Sequence, residues 1–204
     1  MKNITKITIG CLLAITILLS SCKREQCCKK ETDKPQNEDT ILSDESVFNL
    51  ESRWIKQNKD SLSLQDLSNK ITVAAMVFTH CGLACPRIVA DMQRIEQAFK
   101  PQELQHIQFL LISMDPERDT PERFIQFSKE HQLNDSWICI SSDENATMEI
   151  ANVLNVRVKK ISGGNFDHSN IIHLLDKNGN IIFQQNGLAQ EPEQMIKQIK
   201  RLLN

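Results

Sequence analysis

The sequence carries no excess of charge of either sign. Its formal net charge is -2 and its isoelectric point lies near 6.2. It therefore lacks the basic field that draws proteins to phosphate backbones, and nothing in it points to nucleic acid. It has no tyrosine, and aromatic residues make up only 5% of the chain. A hydrophobic content of 40% is nevertheless too high for disorder throughout and sufficient for one domain with a real core. No apolar run is long enough to span a bilayer comfortably. After Val47 there is no internal repeat and no second polar tether, which argues for a single folded domain. Cysteine stands out: there are seven in 204 residues, an uneven number in a chain that needs no disulfide framework at this size.

Lys2 and Lys6 precede a largely apolar run from Ile7 to Leu19, thirteen residues long, the length of a secretory signal core. The run leads into Leu19-Ser20-Ser21-Cys22, which resembles the lipobox of bacterial lipoproteins, where the signal is cut before a cysteine that is then acylated. Residues 1–21 are thus expected to be a lipoprotein signal peptide and Cys22 the lipid anchor of an extracytoplasmic protein. Cys11 leaves with the signal. Residues 22–44 are polar and charged, and read as a flexible membrane tether. Cys27 and Cys28 sit in that tether without packed neighbours and read as incidental.

Residues 45–204 read as one α/β domain. The nearly continuous apolar run Ile71–Phe78 predicts a strand buried on both faces, and Ile107–Met114 a second. Between them, Ile88, Val89, Met92, Ile95 and Phe99 recur at helical spacing, predicting a helix over Pro86–Phe99. Thr120 and Pro121 mark another helix start. Trp137–Ile140 predicts a third strand and Glu144–Leu154 a third helix. Asn178-Gly179 between Ile171–Leu175 and Ile181–Phe183 is a hairpin signal, and a last amphipathic helix begins at Glu191. Val47–Leu67 reads as an N-terminal hairpin covering one edge of the sheet. This order fits a thioredoxin-like fold with an N-terminal β-hairpin extension.

Cys81 and Cys85 fall where the first buried strand meets its helix, the place where α/β proteins put chemistry. The helix N-terminus favours the thiolate, so both sulfurs are expected to be more ionised and more nucleophilic than ordinary cysteine. Residues four apart on a helix have Cβ atoms about 5–6 Å apart, whereas a disulfide wants about 3.5–4.5 Å. This spacing therefore favours a metal clasp that can also close into a disulfide, and a soft thiolate site suits Cu(I) first and zinc second. A third ligand has to be sought among five histidines. His106 and His131 read as solvated, His173 lies in a strand pattern, and His80 adjoins the pair but points away from it. His168 lies in the glycine-containing stretch Ile161–Ser169 before the hairpin, and is either a ligand or a loop histidine hydrogen-bonded to its neighbours. Cys139, within a strand pattern, reads as a small core residue.

Three ordered motifs then stand out: Phe78-Thr79-x-Cys81-x-x-x-Cys85-Pro86, the string Ile112–Glu122 containing Asp115-Pro116-Glu117-Arg118-Asp119-Thr120-Pro121, and Asp167-His168-Ser169 with Leu175-Asp176 and Gly179 beyond. Together they resemble the SCO/SenC family of membrane-tethered, thioredoxin-fold copper binders that help assemble the CuA centre of cytochrome c oxidase. The resemblance implies copper, as Cu(I) or Cu(II), on Cys81, Cys85 and His168. Physically, the Asp115–Glu122 string reads as architecture: a strand end, a turn and a helix start. Met114 and Gly82-Leu83-Ala84 depart from the family pattern without removing a ligand.

The leading expectation is a metallochaperone that receives copper from a donor protein and passes it to the CuA-containing subunit of cytochrome c oxidase or of nitrous oxide reductase. Alternatives are a thiol-disulfide oxidoreductase in which Cys81 and Cys85 are the catalytic redox pair, keeping the target's cysteines reduced, and a redox or copper sensor. A peroxidase is disfavoured because no peroxidatic thiol with its own supporting residues is evident.

Overall fold

A computed structural model describes residues 42–204. The expected signal peptide, Cys22, Cys27, Cys28 and nearly all of the expected tether lie outside the described residues. The strands are β1 (Arg53–Lys56), β2 (Ser61–Ser63), β3 (Ile71–Val77), β4 (Ile107–Ser113), β5 (Trp137–Ser141), β6 (Val158–Ile161), β7 (Asn165–His168), β8 (Ile171–Leu175) and β9 (Ile181–Asn186). The helices are α1 (Ala84–Glu96), the one-turn α2 (Pro101–Leu104), α3 (Pro121–Glu130), α4 (Glu144–Val153) and α5 (Glu193–Leu203).

Seven strands form one sheet in the order β2-β1-β5-β4-β3-β8-β9. β3, β4 and β5 run parallel, and each helical crossover links neighbouring strands. β8 and β9 add on antiparallel beside β3. The β1–β2 hairpin pairs antiparallel with β5 and extends the sheet at its other edge, as the N-terminal segment predicted. Every residue of β3 and β4 is buried, which is why those strands read as continuous apolar runs rather than alternating ones. Phe109 and Trp137 are register partners on β4 and β5, and their rings stack with centroids 4.9 Å apart. This is a thioredoxin-like arrangement with an added N-terminal hairpin.

Local chemistry sets the element ends. The Thr120 hydroxyl accepts from Arg123 N–H, with Pro121 at the first helical position of α3. Asp143 caps α4 by accepting from Ala146 N–H. In the β8–β9 turn the Asp176 carboxylate accepts from the amides of Asn178 and Asn180. Gly179 there has φ +83°, and a Cβ on it would lie 2.6 Å from the Phe48 ring. Only glycine suits both demands.

Two features differ from the sequence expectation. Helix α1 begins at Ala84, so Cys85 is inside its first turn rather than ahead of it. The stretch Ile161–Ser169, expected as a loop, contains most of an antiparallel ribbon in which Val158 pairs with His168 and Ile161 with Asn165. Gly163 and Gly164, at φ +77° and +72°, make its tight turn. Strands of four residues with mixed polarity leave no periodic signal, so only the glycines were visible.

Candidate metal centre

The site grows from the carboxyl end of β3. After Phe78 the chain turns, with Cys81 N–H donating to the Phe78 carbonyl at 3.1 Å. The Phe78 N–H donates to Cys85 Sγ at 3.4 Å, and Cys85 N–H donates to Cys81 Sγ at 3.4 Å. Helix α1 has no side-chain cap, so the Cys81 sulfur takes part of that role at its N-terminus. Cys85 is fully buried and Cys81 half-buried.

This arrangement splits the two thiols, which corrects the expectation that both are more ionised: it holds for Cys81 and fails for buried Cys85. A hydrogen bond from the Cys85 thiol, reinforced by the amides of Cys85, Leu83 and Ala84, lowers the Cys81 thiol to about 5, against partial burial that works the other way. Cys85 is pushed far up, first by its bond to Cys81, then by burial, and further by the charges of Cys81 and Asp119. The two shifts run in opposite directions, so Cys81 is the more acidic thiol and Cys85 the less acidic one facing it.

An apparatus around Thr79 fixes the turn. Thr79 N–H and Oγ1–H donate to Asp119 Oδ1 at 3.0 and 2.6 Å, and Ser113 Oγ donates to Asp119 Oδ2 at 2.7 Å. Arg123 donates to Thr79 Oγ1 at 3.0 Å and to its carbonyl at 2.8 Å, and is itself held by Glu130. Asp119 is fully buried, and burial raises its carboxyl pKa. Asp115 pairs with Arg118, whose other arm reaches the Gly164 carbonyl at the ribbon turn. The Asp115–Glu122 string therefore braces both the cysteine turn and the β6–β7 ribbon. His80, Asp115 and Asp119 bring ligand atoms within 4.8 Å of one another, but both Asp119 oxygens and Asp115 Oδ2 are already engaged in these bonds. The string's position after a strand was legible, but not that Asp119 turns inward: an acid beside a helix cap reads the same whether solvated or buried.

Of the four histidines outside the turn, His168 touches Phe78 at its start. Its ring meets the Phe78 ring edge-on with centroids 6.0 Å apart, beside Phe166 on the same ribbon, whose ring lies 5.1 Å from that of Phe78. His168 Nδ1 lies 3.1 Å from the Ser169 carbonyl. A carbonyl can only accept, so Nδ1 carries the proton and the Nε2 lone pair is left to bind a metal. His80 turns toward Thr79 and Asp119 instead, its Nδ1 3.9 Å from Asp119 Oδ1. His106 is exposed, His131 is half-buried against Phe127, and His173 is buried with Nε2 donating to the Leu154 carbonyl at 2.8 Å. Cys139 lies in the core with no exposure. Among the described residues, Cys81, Cys85 and His168 do not form a group whose ligand atoms all lie within 4.8 Å of one another; two sulfurs at a helix start and, beyond the Phe78 ring, an imidazole are donor types that suit a soft or borderline cation.

Comparison with known proteins gives this geometry its context. The SCO1 protein homolog of Bacillus subtilis is 25% identical over 151 residues, covering 71% of this chain and 78% of that protein. The structure of a SCO1/SenC family lipoprotein from Bacillus anthracis superposes with a TM-score of 0.70 at 26% identity, over 77% of this chain and 96% of that one. Bradyrhizobium japonicum ScoI, solved with copper bound, shares the fold with a TM-score of 0.64 at 24% identity, over 74% and 96% of the two chains. Among the described residues no helix is long and apolar enough to cross a membrane. The SCO1/SenC family model matches residues 43–204, the whole span that carries the sheet, the cysteine turn and the ribbon, and the chain belongs to that family.

Proposed function

We propose that the chain is a copper metallochaperone that holds copper as cargo on Cys81, Cys85 and His168. It passes the copper by ligand exchange to an extracytoplasmic CuA site, foremost that of cytochrome c oxidase. The observation that carries this reading is the geometry of the pair: Cys81 Sγ accepts from the Cys85 amide at the start of α1, and Phe78, whose amide donates to Cys85 Sγ, has its ring against that of His168. Two thiolates suit Cu(I), and the imidazole extends the set to Cu(II). Loading releases the Cys85 proton, so apparent affinity rises with pH. Support also comes from the family, one of whose members, ScoI of Bradyrhizobium japonicum, was solved with copper bound.

In the same reading residues 1–21 are removed, Cys22 is acylated, and residues 22–44 tether the domain to the outer face of a bacterial membrane. A copper donor protein loads it there. Deleting the gene and assaying cytochrome c oxidase and nitrous oxide reductase, with and without added copper, tests the proposal. Oxidase activity is expected to fall and to recover with copper, whereas unchanged activity of both enzymes contradicts it.

The same pair of thiols favours a second reading. The Cys81 thiolate attacks a disulfide of the CuA target, forming a mixed disulfide, and Cys85 then resolves it, leaving the target reduced and Cys81–Cys85 oxidised. This route does not use His168. A His168→Ala variant that still supports oxidase assembly favours the oxidoreductase, and one that does not favours the metallochaperone.

A further inference from the structure

Leu83 stands in the middle of the cysteine turn with 85% of its surface exposed. Other large apolar side chains that reach solvent among the described residues, such as Ile161 at 45% and Ile182 at 42%, are more than half covered. The loop around it is open: a Cβ on Gly82 would meet nothing within 4 Å. Leu83 flanks the start of α1 without giving it a side-chain cap. Neither the core nor the cysteine geometry uses this side chain, and holding a leucine in water is unfavourable until something covers it.

Its position says what would cover it. Cys85 is sealed in the core and Cys81 is the sulfur with access to solvent. A molecule whose own ligands are to reach a metal on Cys81 must come into contact with residues 80–84. Arg123, the arginine beside Cys81 in this groove, is held by Glu130 and by Thr79. Apolar contact is therefore what the loop chiefly offers a partner. A groove of about 520 Å³ opens beside Cys81, with Pro86 and Phe127 next to the polar Arg123, Gln126 and Glu130, and gives the same partner room to lie along α3.

We propose that Leu83 is the docking anchor through which the copper recipient is recognised, and that the recipient presents an apolar socket beside its copper-ligating side chains. The inference rests on the metallochaperone reading and adds to it the feature that selects the partner. Copper-loaded full-length protein, wild type and the variants Leu83→Ala, Leu83→Asp and Leu83→Met, is mixed with a copper-free soluble CuA domain of cytochrome c oxidase, and copper arriving in the recipient is followed over time. Copper loading is measured for each protein first, and transfer is expressed per loaded copper. Leu83→Asp is expected to transfer at least tenfold more slowly at low recipient concentration, equivalent to about 1.4 kcal/mol of docking free energy. Leu83→Ala falls between, Leu83→Met restores most of the rate, and raising the salt concentration changes it little. Transfer by Leu83→Asp at the wild-type rate overturns the anchor and leaves the chaperone reading standing. Failure of the wild type to transfer copper overturns both.

Discussion

Alkylation of Cys81 across pH probes the divided dithiol directly. The structure puts the Cys81 thiol at about 5 against an ordinary value of 9.0, so the rate of its reaction with iodoacetamide should rise to a plateau with a midpoint near pH 5. At pH 7 such a thiol is almost wholly ionised, whereas an unperturbed one is ionised to about 1%. The plateau rate itself is a poor guide. Nucleophilicity falls with pKa by about 0.4–0.5 log unit per unit of pKa, which over this shift nearly cancels the gain in thiolate. The midpoint carries the information, and Cys85→Ala is the decisive perturbation because the Cys85 thiol is the largest stabiliser of the Cys81 thiolate. Removing it leaves the amides of Cys85, Leu83 and Ala84 in place, so the midpoint should move up without reaching 9. Mass spectrometry of the labelled peptide assigns the reaction to Cys81. A wild-type midpoint above pH 8, or no movement in Cys85→Ala, would refute the reasoning.

Other consequences follow from packing. Asp119→Ala leaves three buried donors, from Thr79 and Ser113, without their acceptor, and should cost about 3 kcal/mol or more in urea unfolding. Asp119→Asn keeps an acceptor, removes the burial cost of the charge, and should cost about 1 kcal/mol. Gly179→Ala places a Cβ at φ +83° against the Phe48 ring; it should lower stability by about 2 kcal/mol or more, read as a drop in thermal midpoint. Burial pushes the Cys139 thiol up to about 12, so it should resist iodoacetamide at pH 8 in the native protein and react only after unfolding.

Particular residues show why some of this was legible in the sequence and some was not. Ile71–Val77 and Ile107–Ser113 announced themselves because burial on both faces demands apolar side chains at every position. Thr120-Pro121 and Asn178-Gly179 are stop and start signals whose chemistry is local, and the helix and the hairpin lie where they pointed. The β6–β7 ribbon stayed hidden: its strands are short, and its apolar face amounts to Val158, Phe166 and His168, the last two meeting Phe78 across some ninety residues of chain. The cysteine spacing and its strand-to-helix setting were visible. The inequality of the two thiols was not, since it depends on which sulfur the α1 amides and the Phe78 amide face. Asp119 was hidden for a similar reason, because only its three hydrogen-bond donors, drawn from two strand ends, distinguish it from a surface acid.

Anaerobic titration of the fully reduced protein with Cu(I), against a competing chelator, tests the central claim most directly. One copper per chain is expected for the wild type, lost in Cys81→Ala and Cys85→Ala and markedly weakened in His168→Ala. Unchanged affinity in His168→Ala would contradict the three-ligand site, and no tight binding by the wild type would contradict the copper reading altogether.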